Sequence, residues 1–184
     1  TTNLDVVDID GAVDMASTLQ VDGAITSSAG ATITTTDNTA QLTLKSTDAD
    51  SSTGPVLDLT RDSASPADGD SVGEIVFKAD DDGGNSTEFA SIQTKISDAS
   101  DGSEDGKIEI STIVAGTSQK MINIKSNEVV INDDSIDVDF RVESNADANA
   151  LFVEGSTSNV CINVATGNSA NNGSLTICLL YTSP

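Results

Sequence analysis

Histidine and tryptophan are absent from this 184-residue chain, and aromatic residues make up only 3% of it. Without histidine there is no His-dependent triad, no imidazole general base and no zinc constellation of the usual kind. A serine nucleophile would need a different base, and cations are scarce: eight Lys and Arg stand against thirty Asp and Glu. The resulting net charge of -22 disfavours polyanionic partners, so neither nucleic acid nor an anionic membrane surface is expected to bind. No apolar run is long enough to cross a bilayer as a helix, and membrane insertion is not expected. Strong helix formers at helical spacing are missing too, which leaves strands and turns as the available local structure.

Cysteine is nearly absent. Cys161 and Cys178 could form one bridge at most, and their surroundings show no disulfide framework. Cys161 lies in an alternating apolar segment and reads as a small core residue. Cys178 belongs to "CLLYTSP", residues 178–184, which resembles the translation of an adapter used in preparing sequencing libraries and is set aside from the fold. The opening "TTNLDVVDID" has neither a methionine nor a basic-then-apolar leader, and the chain reads as a fragment of a longer one.

What the sequence has in abundance is Ser, Thr, Asn, Asp and Gly, interleaved with β-branched residues. "IDGAV" at Ile9–Val13 returns as "VDGAI" at Val21–Ile25, a pattern that predicts very short strands stacked on one another over residues 1–40. From residue 41 to 164 longer period-two segments follow: "QLTLK", "PVLDLT", "GEIVFKA", "EFASIQTKI", "KIEISTIVA", "KMINIK", "EVVIN", "IDVDFRV", "ALFVE" and "NVCINV". They divide into modules of about 41–132 and 133–164, with a polar linker over 165–177. In "KIEISTI", Ile108 and Ile110 alternate with Glu109 and Ser111, and Ile122 and Ile124 alternate with Asn123 and Lys125, so each strand is expected to have one apolar and one wet face. Asp-Gly pairs at Asp68, Asp82, Asp101 and Asp105 supply turn residues that tolerate positive φ.

The fold class that follows is all-β: elongated antiparallel meanders and short stacked strands. A meander with one apolar face must bury it, yet large side chains are few and no amphipathic helix is available to cover it. Association of several copies around a narrow core is the simplest remedy. The expected core and assembly residues are Ile75, Phe77, Ile92, Ile108, Ile110, Ile122, Ile124, Val129, Ile131, Phe140, Val142, Leu151 and Val153.

Three consecutive carboxylates, Asp80, Asp81 and Asp82, form the one candidate metal loop, since calcium prefers hard oxygen ligands. The loop does not fit the EF-hand pattern, and the chain lacks the glycine-rich nonapeptides of calcium-loaded β-rolls. A solvated hairpin connection is the simpler reading. Paired carboxylates of the kind that cleave glycosides carry no specificity in so acidic a chain. No catalytic residue and no cofactor is therefore assigned, and the chain is expected not to be an enzyme.

The ordered segments from Gly73 to Asn132 resemble the strand-rich distal part of tail fibres of tailed, especially marine, bacteriophages. In that family a G-x-I-x-F strand precedes an acidic turn, an A-x-I strand, an acidic loop ending in D-G, and then M-x-I and V-x-I-G. Gly73, Ile75 and Phe77, then Ala90 and Ile92, then Met121, Ile122 and Ile124 are the matching positions. "DFRVESNADANALFVEGSTSNVCIN", Asp139 to Asn163, resembles a second family module. The glycines that close both modules are replaced, with Asn132 ending "VVIN" and Cys161 and Asn163 standing in "VCIN". The resemblance implies a homotrimeric virion fibre, extracellular, contacting other tail proteins and contributing to attachment at a host receptor or polysaccharide. A calcium-dependent bacterial surface adhesin is the alternative. A tailspike-like polysaccharide depolymerase would call for a longer parallel β-helix with aromatic sugar platforms, which four Phe and one Tyr do not supply.

Overall fold

A computed structural model of the chain describes residues 12–16, 18–145, 148, 150–156 and 160–162. The chain divides into two compact units, Thr1–Val56 and Leu57–Pro184. All strands of the described residues lie in the second, and no helix occurs among them. Five strands make one sheet: β1 (Ser71–Asp80), β2 (Ser86–Asp98), β3 (Asp105–Val114), β4 (Thr117–Ile124) and β5 (Val129–Ile131), in that spatial order. Every pairing is antiparallel, so the sheet is a simple meander. A second antiparallel sheet contains β6 (Phe140–Val142), β7 (Leu151–Val153) and β8 (Val160–Ile162). The molecule is all-β.

The hairpins follow from the turn residues. β3 and β4 are joined by Ala115 and Gly116 alone, at φ 48° and 81°, the two-residue mirror-image turn whose twist suits antiparallel strands. Gly69 and Gly102 take positive φ as the Asp-Gly pairs predict. The other two pairs behave differently. After Asp82 the left-handed residue is Gly84, not Gly83, and Asp105-Gly106 opens β3, with Gly106 paired to Ile96. Asn132 sits at φ 62°, where Asn is among the residues best able to replace glycine. Its side chain closes the turn by accepting from Ile136 N and donating to Ile136 O, at 3.1 and 2.8 Å.

Several expected strands do not form within one chain. The second repeat at 21–25, "QLTLK" and "PVLDLT" carry no ladder, and Val21, Ile25, Leu42, Leu44, Val56, Leu57 and Leu59 are exposed. A strand needs a neighbour to receive its amides, and among the described residues no strand is paired with these segments. The first repeat up to Gly11, the linker at 165–177, the terminal 178–184 and the side chain of Cys161 lie outside the described residues. Leu59 nevertheless touches the sheet: a Cβ on Gly73 would stand 3.0 Å from Leu59 Cβ. Arg61 holds the approach in place, donating to Ser71 O at 2.8 Å and pairing with Asp70 at 3.2 Å.

Candidate functional site

The register of the meander lines its isoleucines into one row across all five strands: Ile75, Ile92, Ile110, Ile122 and Ile131 are successive cross-strand partners. Beside it runs the row Gly73, Thr94, Ile108, Ile124 and Val129, and on the other side Phe77, Ala90, Thr112 and Gln119. Neighbouring strands lie about 4.8 Å apart, so the face is about 20 Å wide. No charged residue stands in these three rows.

In the single chain this face is open. Ile75, Phe77, Ile92, Ile108, Ile124, Val129 and Ile131 are exposed, from 38% at Ile92 to 62% at Val129; Ile110 and Ile122 are half-buried. In the small sheet Val142 is exposed, while Phe140, Leu151 and Val153 are half-buried. The buried apolar side chain there is Phe152, 5% exposed, on the opposite face from the expected Leu151 and Val153. As the largest side chain of "ALFVE", it has the most to gain from leaving water. A cleft of about 360 Å³ lies between Ile131 of the large sheet and Phe140 and Val153 of the small one. Its floor is closed by Gly155, where a Cβ would stand 2.6 Å from the Val138 nitrogen.

The expectation of a wet opposite face is corrected. Glu109 is 7% exposed, Asn123 2% and Ser91 6%, while Ser111 and Lys125 are half-buried. The cause is pairing across strands. Lys95 and Lys107, directly opposite one another on β2 and β3, both reach Glu109, each at 2.9 Å. A bulge at β4 puts Lys120 on this same face as Asn123. The chain after β5 then folds alongside β4: Asp133 N donates to Lys120 O, the Asp134 carboxylate accepts from Lys120 N at 2.7 Å, and Asp133 accepts from Asn123 Nδ2 at 2.9 Å. Lys120 also pairs with Asp134, and Lys125 with Glu128 and Asp133. Four of the chain's eight cations, Lys95, Lys107, Lys120 and Lys125, thus form ion pairs on one sheet face.

These contacts shift the ionisable groups in the directions expected. Burial pushes the Glu109 carboxyl up, but the hydrogen bonds and charges of Lys107 and Lys95 outweigh it and leave the group below the ordinary glutamate value. The Lys120 hydrogen bond lowers Asp134, and the same contact raises Lys120. Lys125 is raised chiefly by its hydrogen bond to Glu128. One atom has no place in the network: Asn123 Oδ1 is buried and accepts no hydrogen bond.

The aspartate loop is built as a turn. Asp81 Oδ1 accepts from Gly83 N at 2.9 Å and Asn85 N at 2.8 Å, and both carboxylate oxygens accept from the Asn85 side chain at 3.2 Å. The Asn85 backbone and side-chain hydrogen bonds hold the Asp81 carboxyl below its ordinary range. Asp81 is therefore occupied with closing the hairpin. Asp80, Asp81 and Asp82 do not converge, and among the described residues no three acidic, cysteine or histidine side chains form a metal-sized cluster. Comparison with family models, with curated proteins and with solved structures finds no match, so the geometry of the two sheet faces carries the functional argument.

Proposed function

We propose that this chain is a non-enzymatic structural segment of a bacteriophage tail fibre, acting as a homotrimer in the virion and contributing to attachment to the host. The observation that carries the reading is the uncharged isoleucine face, spanning five strands and open to water in one copy. A contiguous apolar patch of this extent marks an interaction surface more often than a free one. Three copies presenting it toward a common axis would bury it, leaving the acidic loops and the paired-charge face outward.

The order of motifs from Gly73 to Asn132 supports the viral assignment, and the left-handed turn at Asn132 supports it further. That position is where the family's module-closing glycine would stand, and Asn meets the same conformational demand. The mechanism is mechanical: strands repeated along the fibre make a stiff spacer that holds a receptor-binding tip away from the particle. Multi-angle light scattering on the full chain tests the reading. A mass of three chains is expected, and a folded monomer at tens of micromolar overturns it.

A further inference from the structure

We propose that Lys107 and Asn123 become joined by an isopeptide bond, formed by the folded chain itself with Glu109 as the proton carrier. The three groups meet at the buried end of the charged face. Lys107 Nζ is 2.9 Å from Glu109 Oε1, and Glu109 is directly opposite Asn123 in the β3–β4 ladder. Lys107 and Asn123 are therefore diagonal neighbours on one face, about 7–8 Å apart at Cα, within reach of a lysine side chain. Both Glu109 and Asn123 are more than nine-tenths buried.

The amide is held for reaction. Asp133 accepts from Asn123 Nδ2 at 2.9 Å, and since a carboxylate can only accept, the nitrogen side of the amide is fixed toward it. Oδ1, buried and without a donor, is the missing partner for a protonated Glu109. Glu109 rests ionised between Lys95 and Lys107, and the 2.9 Å contact lets a proton pass transiently from the Lys107 ammonium to it, leaving a neutral amine and a carboxylic acid side by side. That acid donates to Oδ1 and polarises Cγ, while the amine lone pair attacks Cγ.

The step balances without a co-reactant. The Nζ–Cγ bond forms and the Cγ–Nδ2 bond breaks; Glu109 returns its proton, and Nδ2 leaves as ammonium carrying the protons shed by Nζ. The product is a neutral secondary amide beside an ionised Glu109, which retains Lys95 as partner at 2.9 Å. The reaction occurs once per chain and ties β3 to β4. It is independent of the oligomeric state.

Intact-mass spectrometry on the purified full chain, kept folded at neutral pH for several days, tests the proposal. The mass is expected to fall below that of the sequence by one ammonia, and digestion is expected to release a peptide in which Lys107 is linked to Asn123. Lys107→Arg, which keeps the cation beside Glu109 but cannot react in this way, is expected to show the full mass with an unchanged far-UV circular dichroism spectrum. A wild-type chain at full mass overturns the proposal. So does ammonia loss that persists in Lys107→Arg, which would mark cyclisation of an Asn onto its own backbone.

Discussion

Placing a carboxylate at Ile92 tests what the isoleucine face is for. Ile92 lies in the central row, between Ile75 and Ile110, and is 38% exposed in one chain. If that surface faces water, Ile92→Asp alters little beyond strand propensity, a scale that spans about 1 kcal/mol. If it faces two other copies, association can bury only the 38% of Ile92 still exposed, so the change forfeits about 0.6–1.1 kcal/mol of burial and leaves an unpaired buried carboxyl that costs about 2 kcal/mol more. Taking about 3 kcal/mol per chain, three copies lose about 9 kcal/mol per trimer, about a millionfold in the association constant. Sedimentation velocity across a concentration series, with circular dichroism on the same samples, separates the cases. The variant is expected to be monomeric with its strand signal retained where the wild type is trimeric. A variant that stays trimeric refutes the assignment of this face to the interface.

Three further outcomes follow from the local geometry. Ala115→Gly relieves an alanine held at φ 48°; left-handed strain of about 1–2 kcal/mol, less the extra unfolded-state freedom of glycine, leaves a net gain of about 0.5–1 kcal/mol, read as a higher melting temperature. Glu109, Asp134 and Asp81 have lowered folded-state pKa values, so their stabilisation is present above the ordinary carboxylate range and is lost as pH falls through the lowered values. Lys120 and Lys125 are raised, so theirs is full below the ordinary lysine value of 10.5 and is lost as pH rises through the folded values. Thermal melts across pH are expected to show a plateau between the two. Calcium at millimolar concentration, followed by chelator, is expected to leave the melting temperature unchanged; a clear rise would show that the Asp80–Asp82 turn can release Asp81 to a metal.

Much of the large sheet was legible in the sequence because its strands alternate cleanly. The spacing of Ile75, Ile92, Ile108, Ile110, Ile122 and Ile124 identified one face before any register was known. Which face is covered was not legible. Glu109 and Asn123 look wet in any single strand, and only the β2–β3 pairing and the return of the chain after β5 bring Lys95 and Asp133 onto them, beside the Lys107 of Glu109's own strand. The signal was faint but present: lysines at matching phases on successive strands, in a chain with few cations. Phe152 was not singled out because "ALFVE" is apolar at consecutive positions, so alternation cannot choose between Phe152 and its neighbours. "QLTLK" and "PVLDLT" have the pattern of strands, but pattern does not supply a partner. Gly84 in place of Gly83 follows from Asp81, whose carboxylate draws in the Gly83 amide and moves the left-handed residue one place on.

The uncharged rows bear on how copies of a chain with a net charge of -22 can meet. Two such chains repel at every approach that brings acidic loops together, and the isoleucine face offers an approach without carboxylate facing carboxylate. In the proposed trimer, repulsion would select the geometry that apolar contact would then hold. Salt shortens the reach of that repulsion to about 8 Å at physiological ionic strength and about 3 Å at 1 M, while leaving apolar attraction intact. The proposed association through this face would therefore grow easier as the surrounding medium becomes more saline, the reverse of an interface built on ion pairs.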